Sequence, residues 1–266
     1  MPEFERPTVT LHYEDAGAAR PGQPALVFLH GWCESSADWL STMAAFRGEY
    51  RCIAPDMRGC GRSGMPRDHA YGPEPLSNDV VELCRSLGIE KPVLIGHSYG
   101  GYLAAEIARR FPGFPLAVVV EDQQLDLREF GTRVRQLESV IRSPESHMAF
   151  RLQLIDSLAG PNLDPAVLAS IRRGAEKTPV EVGQALWAAL FEFSPMELAK
   201  RSDALMAALS VQPALSIDAE EPPGYYDTLH WFAPNARTRV IHAGHWIHLE
   251  KPQEFQTALR ELLALV

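Results

Sequence analysis

The sequence predicts an α/β protein: a mostly parallel sheet flanked by helices, with a block of helices inserted before the penultimate strand. Three observations predict it. Short continuous apolar runs recur at 25–29, 51–55, 92–96 and 116–120, the pattern of strands buried on both faces. Helical periodicity fills the gaps between them, and strands alternating with helices imply a parallel sheet covered on both sides. From about Leu125 to Leu209 the helical patterns continue with no convincing strand.

Taken in order, residues 8–13 alternate apolar and polar (Val9, Leu11, Tyr13) and suit an outer antiparallel strand. Residues 16–24, rich in Gly, Pro and Ala, read as a turn before the first buried strand. A helix is expected at 36–46, where Trp39, Leu40 and Met43 share a side, and another at 76–87, where Val80, Val81, Cys84 and Leu87 do. Helices at 102–111 and 252–266 follow the third buried strand and close the chain, and weaker strands fall at 212–217 and 238–241. The inserted block reads as helices at 134–141, 148–158, 165–173, 180–193 and 196–209, punctuated by Pro144, Pro161, Pro165, Pro179 and Pro195. The expected organisation is therefore a core of residues 1–124 and 210–266 carrying a helical cap of residues 125–209. Such a cap sits over the carboxyl edge of the sheet, where open α/β sheets bind ligands.

Composition narrows the function. At 266 residues, 46% hydrophobic and 22% charged, the chain buries a large core without staples and is not a disordered protein. Its 25 basic and 34 acidic residues give a net charge of -9, which argues against nucleic acid or an anionic membrane surface as partner. Cys33, Cys52, Cys60 and Cys84 form no C-x-x-C pair, so a zinc ribbon or disulfide scaffold is not expected, and the thiols read as buried and idle. No secretory leader and no apolar run of membrane-spanning length is visible, and a cytoplasmic location is the expectation.

Chemistry concentrates in three loops. Gly96-His97-Ser98-Tyr99-Gly100-Gly101 follows an apolar strand and precedes a helix, the setting of a G-x-S-x-G nucleophile elbow. The glycines leave room for a sharp turn that lifts the Ser98 hydroxyl and the Tyr99 N–H to the top of the sheet. His30-Gly31-Trp32-Cys33 ends another strand, and a backbone N–H there, that of Trp32, would complete an oxyanion hole. Gly244-His245-Trp246-Ile247-His248 lies after the last strand, where a Ser…acid…His order places the base. His245, directly after the turn glycine, is the expected base; His242 and His248 read as strand-end and packing residues. The acid is the unusual part. The stretch after the penultimate strand, Ser216 to Pro222, has no glycine-bearing turn, although it offers Asp218, Glu220 and Glu221. Asp122, ending the strand after the elbow helix, is the favoured partner of His245, with Glu121 expected to point to the other face of its strand. Asp56 to Ser63 is glycine-rich but lacks P-loop spacing and reads as bracing at the rim.

With these motifs the chain resembles the α/β-hydrolase superfamily along nearly its whole length. A narrower resemblance, carried by Gly31-Trp32-Cys33, Asp122, Glu220-Glu221-Pro222, Ser194-Pro195-Met196 and Trp231-Phe232, is to the cofactor-independent 3-hydroxy-4-quinolone 2,4-dioxygenases. That resemblance implies a heterocycle cleaved with O2 and released carbon monoxide, without metal or flavin. It assigns His245 as base, Asp122 as its partner, Ser98 as a substrate-binding hydroxyl, and Trp32 and His97 as pocket residues. The sequence departs from the family at Tyr99 and Glu34, where the family carries histidines, and near Leu158, where it carries a cap tryptophan. The favoured expectation is such a dioxygenase acting on a small apolar aromatic substrate with catalytic His245, Asp122 and Ser98 and with Trp32, Tyr99, His97 and His30 binding substrate. The alternative is a serine hydrolase of an ester, amide or C–C bond using Ser98, His245 and Asp122. An intact set of three argues against a non-catalytic receptor.

Overall fold

A computed structural model describes residues 2–266. Its strands are β1 (Glu3–Glu5), β2 (Thr10–Ala16), β3 (Leu26–Leu29), β4 (Cys52–Pro55), β5 (Val93–His97), β6 (Ala117–Glu121), β7 (Ala214–Asp218) and β8 (Arg237–Val240). They form one sheet in the order β1-β2-β4-β3-β5-β6-β7-β8. β1 and β2 join antiparallel and every later pairing is parallel. The chain leaves β3 for β4 on one side and returns to β5 on the other. That reversal opens a crevice above the carboxyl ends of β3 and β5.

β3, β4, β5, β6 and β7 are buried along their whole length. This is why they read as unbroken apolar runs rather than alternations. One face packs on Trp39, Phe46, Phe255 and Leu259, the other on Val80, Leu83, Leu103 and Ile107. Each such side chain contributes roughly 1.5–3 kcal/mol of burial free energy.

Between β6 and β7 the chain is helical: Leu127–Arg135, Glu138–Arg142, Pro144–Leu158, Pro165–Lys177, Val180–Glu192 and Pro195–Ala208. The prolines explain the punctuation. Pro144, Pro165 and Pro195 each open a helix, preceded by the N-caps Ser143, Asp164 and Ser194. The single helix expected at 134–141 is instead two: Asp126 caps Leu127–Arg135, which ends at Gln136, and Glu138–Arg142 starts anew after Leu137.

Three elements were not legible from pattern. β1 has two charged residues in three and pairs only with β2. Tyr225–Phe232 is a helix whose N-cap, Gly224, is left-handed and offers no side chain. Ile247–Glu250 is a single turn.

All four cysteines are buried and unpaired, and burial raises their pKa, to about 12 for Cys33, Cys52 and Cys84. The folded protein should therefore give no colour with a disulfide reagent at about pH 8, and all four thiols should react after denaturation. A thiol that reacts rapidly in the folded protein would contradict this packing.

Candidate active site

The strand register builds the site. Leu29 pairs with Gly96, Gly96 with Val120, His97 with Glu121, and Glu121 with Ile217. The next residues along β5 and β6 are Ser98 and Asp122, and β7 ends level with them at Asp218. Three loops therefore leave the sheet side by side at its carboxyl edge.

Ser98 sits at φ 50° and ψ -122°, a conformation that costs a non-glycine residue about 1–3 kcal/mol. The fold enforces it. The Ser98 N–H donates to the Glu121 carbonyl at 2.8 Å, and the Ser98 carbonyl accepts from Gly101 and Tyr102. A Cβ on Gly96 would stand 2.1 Å from the Gly100 carbonyl oxygen, and one on Gly100 2.1 Å from that of Leu29. No side chain fits at either place. The helix Tyr99–Arg110 thus starts directly on β3 and β5, and the Tyr99 N–H, its first, has no protein acceptor among the described residues.

The second donor is set by His30. Its Nε2 accepts from the Met57 N–H at 2.9 Å, so its Nδ1 carries the proton and donates to the Gly31 carbonyl at 2.8 Å. In a trans peptide the N–H opposes the carbonyl. With the Gly31 carbonyl turned to His30, the Trp32 N–H is turned away from it, and it too has no protein acceptor among the described residues.

His245 Nδ1 lies 2.5 Å from Asp122 Oδ2, and Asp122 Oδ1 accepts the Ala219 N–H at 2.9 Å. Burial works to raise the Asp122 carboxyl, but the hydrogen bond and charge of His245 outweigh it and hold the group below the usual range. Asp218 also borders the chamber but binds the hydroxyls of Ser216 and Tyr226, not a histidine. Burial raises it to about 6. Glu121 points to the other face and takes the backbone N–H and Nδ1 of His248. Ser98 Oγ makes no hydrogen bond with His245.

Two cavities meet at Ser98. A chamber of about 370 Å³ is bordered by Asp122, His245, Trp246, Asp218 and Glu34. An apolar arm of about 90 Å³ runs past Tyr99 and Tyr102 to Leu186, Leu190 and Phe193 of the cap. Trp32, Gln123, Phe130 and Trp187 border both. Trp32 is locked there by a 2.9 Å bond from its indole N–H to the Gly183 carbonyl. The cap also grips the base loop: the His245 N–H donates to the Leu158 carbonyl at 2.9 Å.

Two expected substrate-binding residues lie elsewhere. His97 and His30 are fully buried and line neither cavity, because each continues a strand whose alternation turns it beneath the floor. They act on the site through the backbone instead. Gln123 and Phe130, which do border the chamber, carried no motif that set them apart in the sequence, whereas Glu34 showed only as a departure from the family and Trp187 only as one of the cap's apolar residues.

Among the described residues no group of three or more His, Cys, Asp or Glu is arranged to hold a metal ion, and no helix is long and apolar enough to cross a membrane. Residues 24–131, which include Trp32, Ser98 and Asp122, match the family model described as the alpha/beta hydrolase fold. An esterase from Thermogutta terrifontis superposes with a TM-score of 0.77 over 99% of this chain and 98% of its own, at 26% identity. This chain has the α/β-hydrolase fold. The enzyme that recognises and cleaves the ring of the Pseudomonas quinolone signal superposes with a TM-score of 0.81 over 100% of both chains, at 22% identity, a likeness of fold. Epoxide hydrolase 4 of Mus musculus is 37% identical over 111 residues, 41% of this chain. That match spans only 30% of the curated relative.

Within this α/β-hydrolase fold, His245→Ala should lower turnover by about 10²- to 10⁴-fold, the usual worth of a positioned base. Asp122→Ala should follow it, while Asp218→Asn stays near wild type. His248→Ala should lower Tm by stranding Glu121, with the turnover of the folded fraction kept. Steady-state rates and melting curves of the four variants check the ranking, and a crippling Asp218→Asn would move the acid to β7.

Proposed function

We propose that the protein is a cofactor-free serine hydrolase that cleaves an acyl bond, an ester or lactone, in a small substrate bearing an apolar chain. The observation that carries this reading is the strained Ser98 flanked by two unspent backbone N–H groups, those of Trp32 and Tyr99. Two fixed donors beside a nucleophile match a tetrahedral oxyanion, and removing one such donor from an enzyme costs about 10²–10³ in rate.

In this reading the Ser98 oxygen attacks the carbonyl carbon while His245 Nε2 takes its proton. Asp122 holds the other ring nitrogen and stabilises the imidazolium. Collapse expels the alcohol, which takes the proton back from His245. Water, activated by the same base, then releases the acid. The Ser98–His245 bond, open at rest, closes with substrate in place; such contacts often tighten only in the loaded enzyme. The apolar arm accepts the chain, and the chamber holds the reacting group. The esterase likeness supports this reading. Epoxide hydrolysis through an aspartate nucleophile does not fit, since the elbow carries Ser98.

A second reading is favoured by one observation: His245 is tightly engaged with Asp122 while Ser98 stands free of it. In that case His245 removes the 3-hydroxyl proton of a 3-hydroxy-4-quinolone, the anion reacts with O2, and ring cleavage releases carbon monoxide. Ser98 then serves only as a hydrogen-bonding group. The quinolone-cleaving neighbour supports it.

The decisive experiment runs nitrophenyl esters of graded chain length beside 3-hydroxy-4-quinolones, with and without oxygen. Hydrolysis predicts anaerobic turnover and a Ser98→Ala loss on the order of 10⁶-fold. The dioxygenase predicts oxygen uptake and a loss of roughly 5- to 150-fold, the worth of one hydrogen bond. Strict oxygen dependence with a mild Ser98→Ala would overturn the hydrolase.

A further inference from the structure

From the chamber wall at Glu34 back to the buried His97 runs a second acid–histidine pair that neither reading uses. Glu34 follows the Trp32 loop and His97 ends β5; their side chains are 5% and 0% exposed. Glu34 Oε2 accepts the Gly31 N–H at 2.7 Å and lies 3.1 Å from His97 Nδ1. Glu34 Oε1 accepts the Trp246 indole N–H at 2.8 Å. The other ring nitrogen of His97 lies 3.0 Å from the His245 carbonyl oxygen.

The proton count follows from these partners. A carbonyl oxygen only accepts, so His97 Nε2 must donate. A bare Nδ1 facing an ionised Glu34 would leave two acceptors opposed, so a proton lies between them, and the two N–H groups donated to the carboxyl favour its place on His97. Both ring nitrogens are then protonated and His97 is an imidazolium. We propose that Glu34 and His97 form a buried carboxylate–imidazolium pair that positions the oxyanion loop, the elbow and the His245 loop relative to one another.

Each loop is tied to the pair separately: the first through Gly31, the second through the chain from His97 to Ser98, the third through Trp246 and the His245 carbonyl. Both are positioning residues, since their polar atoms are spent on the loops. Both functional readings need the loops aligned, so the inference stands apart from the choice between them.

The surrounding charges agree. Burial works to raise Glu34, but the charge and hydrogen bond of His97, with His245 and the Gly31 N–H, bring it below the usual carboxylate range. Burial works to lower His97, but Glu34, then Glu121 and Asp122, hold it above the usual histidine range. Asp38 and Cys33 also face Glu34. The rings of His245 and His248 stand 4.5 and 5.3 Å from His97. Because His97 is raised in the fold, its contribution is full below its ordinary value and is lost as pH rises through about 9.

Nitrogen-15 NMR of histidine-labelled wild-type protein at about pH 8 tests the pair without any substrate, because ordinary histidines are neutral there. His97, assigned through its contact with Trp246, should show two protonated ring nitrogens; one bare nitrogen would overturn the proposal. Glu34→Gln keeps the shape but turns an amide N–H toward an N–H donor, so at least one tie breaks. A misplaced loop should lower kcat by about 10- to 100-fold. With only positioning lost, KM should stay within about threefold. The assay uses nitrophenyl butyrate, or a 3-hydroxy-4-quinolone if oxygen uptake is the activity found. An unchanged kcat in folded Glu34→Gln would also overturn the proposal, and if that variant does not fold, the wild-type spectrum decides alone.

Discussion

The site depends on one close approach. Gly100 brings the start of the elbow helix against the carbonyls of Leu29 and His30, and Gly96 brings the end of β5 against Gly100. Because no Cβ fits at either position, the helix begins on the sheet itself rather than a side-chain layer above it. Ser98 is thereby forced into its strained conformation, and the Tyr99 N–H is left facing the space above β3. The Trp32 loop leaves β3 beside that space, and its N–H is set separately, by the bond from His30 to the Gly31 carbonyl. The strain is small beside the burial free energy of the five central strands.

The acids around this point are sorted by strand geometry and then by partner. Glu121 and Asp122 are adjacent in sequence, yet they serve opposite sides of the sheet edge: Glu121 holds His248 beneath it and Asp122 holds His245 above. Asp122 has a positive φ of 47°, which lets its carboxylate reach the base loop directly from the end of β6. Asp218 ends the neighbouring strand with a similar outlook, but its carboxyl accepts the hydroxyls of Ser216 and Tyr226, and burial raises it although those bonds work the other way. Of the two carboxyls at this edge, only Asp122 meets His245. The buried histidines beneath, His30, His97 and His248, bond to backbone and carboxylate partners below the chamber.

The cap supplies the apolar arm and steadies the base. Trp32 reaches from the core loop to Gly183, meeting the edge of Trp187 and the guanidinium of Arg151. Arg151 is fully buried with no carboxylate in contact; the carbonyls of Ala175 and Thr178 accept its hydrogen bonds in place of water. The Leu158 carbonyl and the tight packing of Gly160 on Gly244 hold the base loop from above. The cap and the His245 loop are therefore mechanically joined.

The sequence by itself determined the alternation of buried strands and helices, because strands covered on both faces must be apolar throughout and Val93–Ile95 or Val118–Val120 can be little else. It also singled out Ser98, His245 and the Trp32 loop, since glycine spacing and chain order are local signals, and the fold brings the three to one cavity. It favoured Asp122 over Asp218 by the missing turn after β7 and by the place of Asp122 at the end of a buried strand on the edge of Ser98. What tertiary structure decided was which polar groups meet. His97 and His30 look like pocket residues in a motif, yet strand alternation buries them. Glu34 looks like a departure in a loop, yet it joins Gly31, His97 and Trp246, residues up to 212 positions apart. No local pattern encodes a contact across that separation, because it arises only when the parallel sheet brings three loop ends to the same edge.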